Sequence, residues 1–90
     1  MGVIAPGDML VRTKRRGSPH VWSKHDESGF SKEIHENLVM GKLILIISVF
    51  CKTYDWSSHG QTWTYLVLFD GRLAWMQASS TDIELSHQRV

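Results

Sequence analysis

Asp70-Gly71 constrains the fold of this chain more than any other dipeptide in it, because of what stands on either side. Thr62-Trp-Thr-Tyr-Leu-Val-Leu-Phe69 precedes it and Arg72-Leu-Ala-Trp-Met-Gln-Ala78 follows, both rich in aromatic and aliphatic residues. Both central positions of a type I′ turn need positive φ, and Gly71 takes one of them without strain. The spacing therefore predicts a β-hairpin. In the first of its strands Trp63, Tyr65, Val67 and Phe69 share one face against Thr62, Thr64, Leu66 and Leu68 on the other. Val67 and Phe69, with Trp75 from the second strand, are expected to build the wall of the core. Ser79-Ser-Thr-Asp82 reads as a tight polar turn or a single 3₁₀ turn, and Ile83-Glu84-Leu85 as a last short strand.

Ninety residues supply interior for one core, so residues 1–90 read as a single domain. Ten Lys and Arg stand against nine Asp and Glu, which gives no bulk attraction to nucleic acid or to an anionic membrane. The lone Cys51 excludes an internal disulfide. No basic segment leading into an apolar one opens the chain, so no signal peptide is expected. The most apolar run, from Leu43 to Cys51, is far shorter than the ~20 residues of a membrane-spanning helix. A soluble protein of intracellular origin, without membrane association, is the expectation.

Taken in order, Pro6-Gly7-Asp8 is a turn that launches a first strand over Met9–Lys14, with Met9, Val11 and Thr13 expected to face inward. Residues 15–37 show no sustained apolar period and contain Gly17, Pro19, Gly29, three histidines and charges of both signs. They read as a long arm, anchored by Val21, Trp22, Phe30 and Ile34, with a short helical turn near Ser31–Asn37. Loops beyond ~12–15 residues are uncommon in compact domains and tend to be functional. Leu38–Tyr54 is the longest β-type run. Straight, it would reach ~55 Å at ~3.3 Å per residue, against a radius of gyration of ~12 Å for a domain of this size. It must bend, and Gly41 and Ser48 are the expected sites. Leu43, Leu45, Ile47, Val49 and Cys51 are assigned to one face, Ile44, Ile46 and Phe50 to the other. A loop, Asp55–Gln61, joins this run to the hairpin.

Gly7-Asp8-Met9-Leu10-Val11-Arg12, Gly41 with the apolar run Leu43–Val49, Val67-Leu68-Phe69-Asp70-Gly71-Arg72 with Trp75, and Asp82-Ile83-Glu84-Leu85 together resemble the small SH3-like β-barrel proteins of marine and cyanobacterial bacteriophages. The resemblance covers about two thirds of the chain. It implies an all-β fold, a small five-stranded SH3-like barrel with a long arm (15–37) between its first two strands. It also implies an adaptor used for binding, with no catalytic residues and no cofactor.

The candidate sites follow from residue type. Trp22, Phe30 and Ile34 in the arm, and Trp56 and His59 in the 55–61 loop, are the expected protein-binding residues. Tyr54, Trp56, Trp63 and Tyr65 bracket that loop, as a cation cage or aromatic patch would require, although core packing accounts for Trp63 and Tyr65. Arg12, Lys14, Arg15 and Arg16 form the one basic cluster and are the candidates for phosphate contacts. Nearby Asp26, Glu27, Glu33 and Glu36 and the lack of interleaved aromatics favour a solvated strand end instead. His20, His25, His35, His59 and His87 lack metal-ligand spacing, so no metal is expected. Cys51 alternates with core residues and reads as an inert thiol rather than a nucleophile. The expected function is a non-enzymatic phage structural or adaptor protein, a virion accessory such as a capsid-decoration, neck or tail subunit. Its partners would be virion subunits or copies of itself, in the virion or in host cytoplasm during infection. The alternative is a nucleic-acid-binding or host-takeover barrel acting on host transcription, translation or a host enzyme.

Overall fold

The computed structural model describes residues 4–16, 19–26, 29–53 and 62–90. Its elements run β1 (Met9–Arg12), β2 (His20–Asp26), β3 (Gly29–Ile34), α1 (Glu36–Val39), β4 (Leu43–Thr53), β5 (Thr62–Phe69), β6 (Arg72–Ser79), α2 (Ser80–Ser86) and β7 (His87–Arg89). The seven strands form one sheet in the order β3-β2-β6-β5-β4-β1-β7, with every neighbouring pair antiparallel. The fold is all-β. Among the described residues the sheet is open, with β3 and β7 as its edges, and has seven strands where five were expected.

The Asp70-Gly71 hairpin forms as read. Phe69 pairs with Arg72, leaving a two-residue loop, and φ is +51° at Asp70 and +76° at Gly71, the pair of signs a type I′ turn needs. Tyr65, Val67 and Phe69 are buried, and Trp63 packs against the same core. The bend in β4 is also where the sequence places it. Ile46 pairs with Val67 and Ser48 with Leu66, so Ile47 is an extra residue bulged out of the ladder. The bulge changes the parity of the strand: Ile44 and Ile46 point inward before it and Val49 after it. The expected face of Leu43, Leu45, Ile47 and Val49 is therefore split, and only Val49 of these four packs on the core.

Four expectations are corrected. The long arm expected over residues 15–37 carries two strands, because His20–Asp26 and Gly29–Ile34 pair as a hairpin alongside β6. The helical turn expected over 31–37 lies at Glu36–Val39 instead, since Ile34 is still paired with Val21; the His35 ring caps the helix by accepting the Asn37 N–H. On β1 it is Leu10 and Arg12 that are buried, while Met9 is exposed. The pairing of Leu10 with Ile44 sets that parity. Ile83-Glu84-Leu85 is helix rather than strand, because the Ser79 hydroxyl accepts the Asp82 N–H at 3.1 Å and starts α2, delivering Ile83 to the core. The last strand is displaced to His87–Arg89, against β1.

A flat sheet is only ~10 Å thick with its side chains, whereas the smallest extent of this molecule is 23 Å. The sheet curls around its inner residues, and Arg12 joins the two sides of the curl. Its carbonyl accepts the Gly41 N–H at 2.9 Å, its guanidinium reaches the Glu36 carboxylate at 3.4 Å, and its Nε donates to the Lys14 carbonyl at 3.3 Å. Glu36 opens α1 and Gly41 lies just past its end; α1 follows β3, so the end of β3 is tied to β1.

The turn geometry makes a direct prediction. A Gly71→Val variant places a β-branched side chain at φ +76° and is expected to lose about 1–2 kcal/mol in urea unfolding. Asp70→Gly relieves the positive φ but gives up an exposed ion pair to Lys42 at 3.6 Å, and is expected to lose less than ~1 kcal/mol.

Candidate docking face

Pairing register and the two-residue period of a strand sort the side chains into two faces. The inner rows Ile46–Val67–Ala74 and Val49–Tyr65–Met76–Val21–Ile34 carry most of the core. Across the opposite face run three further rows. Met9–Leu45–Leu68–Leu73 crosses β1, β4, β5 and β6; Ser48–Leu66–Trp75–Trp22 and Phe50–Thr64–Gln77–His20 cross β4, β5, β6 and β2. Val11 and Leu43 add a partial row beside the first. None of these fourteen residues is Asp, Glu, Lys or Arg. Leu73 is 57 % exposed, Leu43 51 % and Phe50 43 %. Trp75, expected in the core wall, belongs to this outer face, because its neighbours Ala74 and Met76 take the inward positions.

At the β2–β3 end the outer face becomes a shelf of stacked rings. Phe30 lies 4.3 Å from His25 at 17° and 5.8 Å from Trp22 at 28°. His25 meets Trp75 edge-on at 4.9 Å and 70°, and Phe50 abuts Trp75 at 5.4 Å. In a regular hairpin Phe30, paired with His25, would face away from Trp22. The alternation breaks at Lys32, whose φ is +59° and whose carbonyl accepts the Ser23 hydroxyl. The three rings meet beside that kink. The sequence offered no signal for it, since Lys is an unusual occupant of the left-handed region.

The other predicted residues divide clearly. Trp22 and Phe30 form the shelf, while Ile34 is buried in the core. Trp56, His59 and Tyr54 lie outside the described residues, as does the side chain of Cys51. Trp63 and Tyr65 face the core, and burial pushes the Tyr65 hydroxyl up to about 12. In the basic cluster Arg12 is buried, and Arg15 donates to the same Glu36 carboxylate at 2.8 Å. One acid thus engages two of the four cations, and Lys14 and Arg16 remain as exposed charges. Arg12, His20, Glu33, His35 and Glu36 line a cleft of about 390 Å³ beside α1. Its carboxylates are occupied: His20 donates Nδ1–H to Glu33 at 2.6 Å, and Glu36 holds the two arginines. Among the described residues no three His, Cys, Asp or Glu side chains converge as a metal site requires. No helix among them is long and apolar enough to cross a membrane.

His87 is a buried group that residue spacing did not reveal. It pairs with Arg12 across β1 and β7, and its Nδ1 lies 2.7 Å from the Ser86 hydroxyl. That hydroxyl gives its proton to the Asp82 carbonyl at 2.8 Å, so Nδ1–H of His87 is the donor and Nε2 is left as a buried lone pair without a partner. Burial first, and then the nearby Arg12 charge, push its pKa down to about 4.

Comparison with known protein families, curated proteins and solved structures finds no significant match. The function must be argued from the geometry.

The His87 environment sets a pH dependence. Between about 4 and 6.5 the unfolded chain binds the proton and the folded chain does not, so stability rises with pH across that window. His87 costs nothing above pH 6.5, and its penalty grows as pH falls toward 4, reaching ~3 kcal/mol. Urea unfolding at a series of pH values should show this loss in the wild type, and a shallower acid limb in His87→Leu.

Proposed function

We propose that this protein is a non-enzymatic adaptor that holds a partner protein on the aromatic shelf formed by Trp22, Phe30, His25, Trp75 and Phe50. The stacked, partly exposed ring array supports this reading more than any other feature. Aromatic rings presented at a surface are the commonest anchors of protein interfaces, since each buries a large area with little loss of side-chain freedom. Here they are already ordered by stacking on one another, which lowers the entropic cost of docking. The shelf runs from the β2–β3 hairpin to Trp75 on β6 and Phe50 on β4, on the face of the sheet opposite the core.

The finer setting rests on resemblance. In this reading the curled sheet is an SH3-like barrel elaborated by the β2–β3 hairpin and by β7, and the partner is a subunit of a phage particle. The nucleic-acid alternative is disfavoured by Glu36, which binds Arg12 and Arg15.

Affinity capture with the tagged chain from infected cells, read by mass spectrometry, tests the proposal. Virion subunits are expected in the captured set. Phe30→Ala and Phe50→Ala should each weaken capture by about tenfold or more, the scale of a ~1–2 kcal/mol anchor. Capture of the same proteins by both variants, or of nucleic acid alone, contradicts it.

A further inference from the structure

We propose that the chain forms a two-fold dimer in which the outer faces of β1, β4, β5 and β6 from two copies stack on each other. This goes beyond the adaptor reading and does not depend on it. The aliphatic rows concerned lie toward β1 and the hairpin turn, and the ring shelf, centred on β2 and β3, meets them only at Phe50 on β4 and Trp75 on β6.

The first support is electrostatic. Charged residues make up 21 % of the chain, so the twelve positions that these rows place on β1, β4, β5 and β6 would carry between two and three by chance, yet they carry none; depletion of charge is the compositional mark of an interface core. An uncharged face offers a charged partner nothing to pair with. Against a second copy it meets another uncharged face, and no like charges are forced together under the two-fold operation.

The second support is size. Four strands at ~4.8 Å spacing and about seven residues at ~3.3 Å make a patch of roughly 20 by 23 Å. Side-chain relief raises its accessible area to on the order of 600–800 Å², near the ~800 Å² that each partner contributes to a standard interface. A patch of that size on a ninety-residue chain is also larger than a monomer commonly leaves in water. Two such faces pack ~10 Å apart with strands inclined by ~30°, the geometry of an aligned β-sandwich.

The third support comes from the sheet edges, which are poorly built for the other common mode of β association. At one edge β3 is kinked at Lys32 and charged at Lys32 and Glu33, and at the other β7 is three residues long. Both features blunt edge-to-edge pairing. Face-to-face contact is the route left open.

Sedimentation velocity from about 1 to 100 µM tests the proposal, a range that brackets micromolar affinity for an interface of standard size. The wild type is expected to shift from monomer to dimer across it. Leu73→Glu and Leu43→Glu, on separate strands and each more than half exposed, should both remain monomeric at the upper concentration while keeping the wild-type far-UV circular dichroism. Two sites keep the test decisive should one variant misfold. Leu85→Glu on α2 and Phe30→Ala on the shelf should dimerise as the wild type does. A wild type that stays monomeric at the upper concentration overturns the proposal. So does a dimer that survives both Glu substitutions on the face, or one abolished by Phe30→Ala alone.

Discussion

Arg12 is the side chain on which the shape of the molecule depends. Sheet twist and the apolar inner rows draw the strands around the core, and Arg12 on β1 pins the result by holding Glu36 at the start of α1, the helix that follows β3. Its backbone carbonyl and its guanidinium engage the two ends of α1, while β1, to which it belongs, sits between β4 and β7. A buried guanidinium is costly unless its donors are satisfied, and here a carboxylate and a main-chain carbonyl receive them. The same charge lies beside His87 and helps hold it neutral. Curling in this way encloses the inner rows and leaves the outer rows partly exposed, Thr64 being the one buried residue among them.

The two faces consequently carry different duties, and a single period-two pattern produces both. Along β5, Tyr65, Val67 and Phe69 build the core while Leu66 and Leu68 join the outer rows, so one strand is apolar on both sides. A solvated outer face would alternate with charged or strongly polar residues. The bulge at Ile47 preserves this division along β4 by resetting its parity, which lets Val49 reach the core and Phe50 reach the rings. Both proposed contact surfaces lie on the sheet itself.

Much of the scaffold was legible in the sequence, and the reasons are local. Asp70-Gly71 encodes a turn by steric necessity, and the length of the apolar run from Leu43 demands a bend near Ser48. The β2–β3 hairpin was not legible. His20–Ile34 lacks alternation because β2 presents mixed polar and aromatic residues, and its two strands are recruited by pairing with β6, a long-range contact. The inward position of Arg12 was equally hidden, since a cation reads as exposed until Glu36, twenty-four residues away, is known to meet it. The final segment was misread because three residues cannot separate the period of a strand from that of a helix. The informative signal was the Ser79 to Asp82 spacing, which caps α2. For the site, Trp22 and Phe30 were found as apolar anchors in a polar stretch. Trp75 and Phe50 were not, because their outward orientation depends on strand parity and on the bulge.

The central claim is that one face of the sheet folds the chain and the other associates. Hydroxyl-radical footprinting of the purified protein, at concentrations below and above the onset of association, addresses it residue by residue. Oxidation of Leu43, Leu68 and Leu73 is predicted to fall as concentration rises, while Leu38 on α1 and Leu85 on α2, which are exposed but lie off the sheet face, stay unchanged. Protection at Leu38 and Leu85 with the sheet leucines still reactive would contradict it.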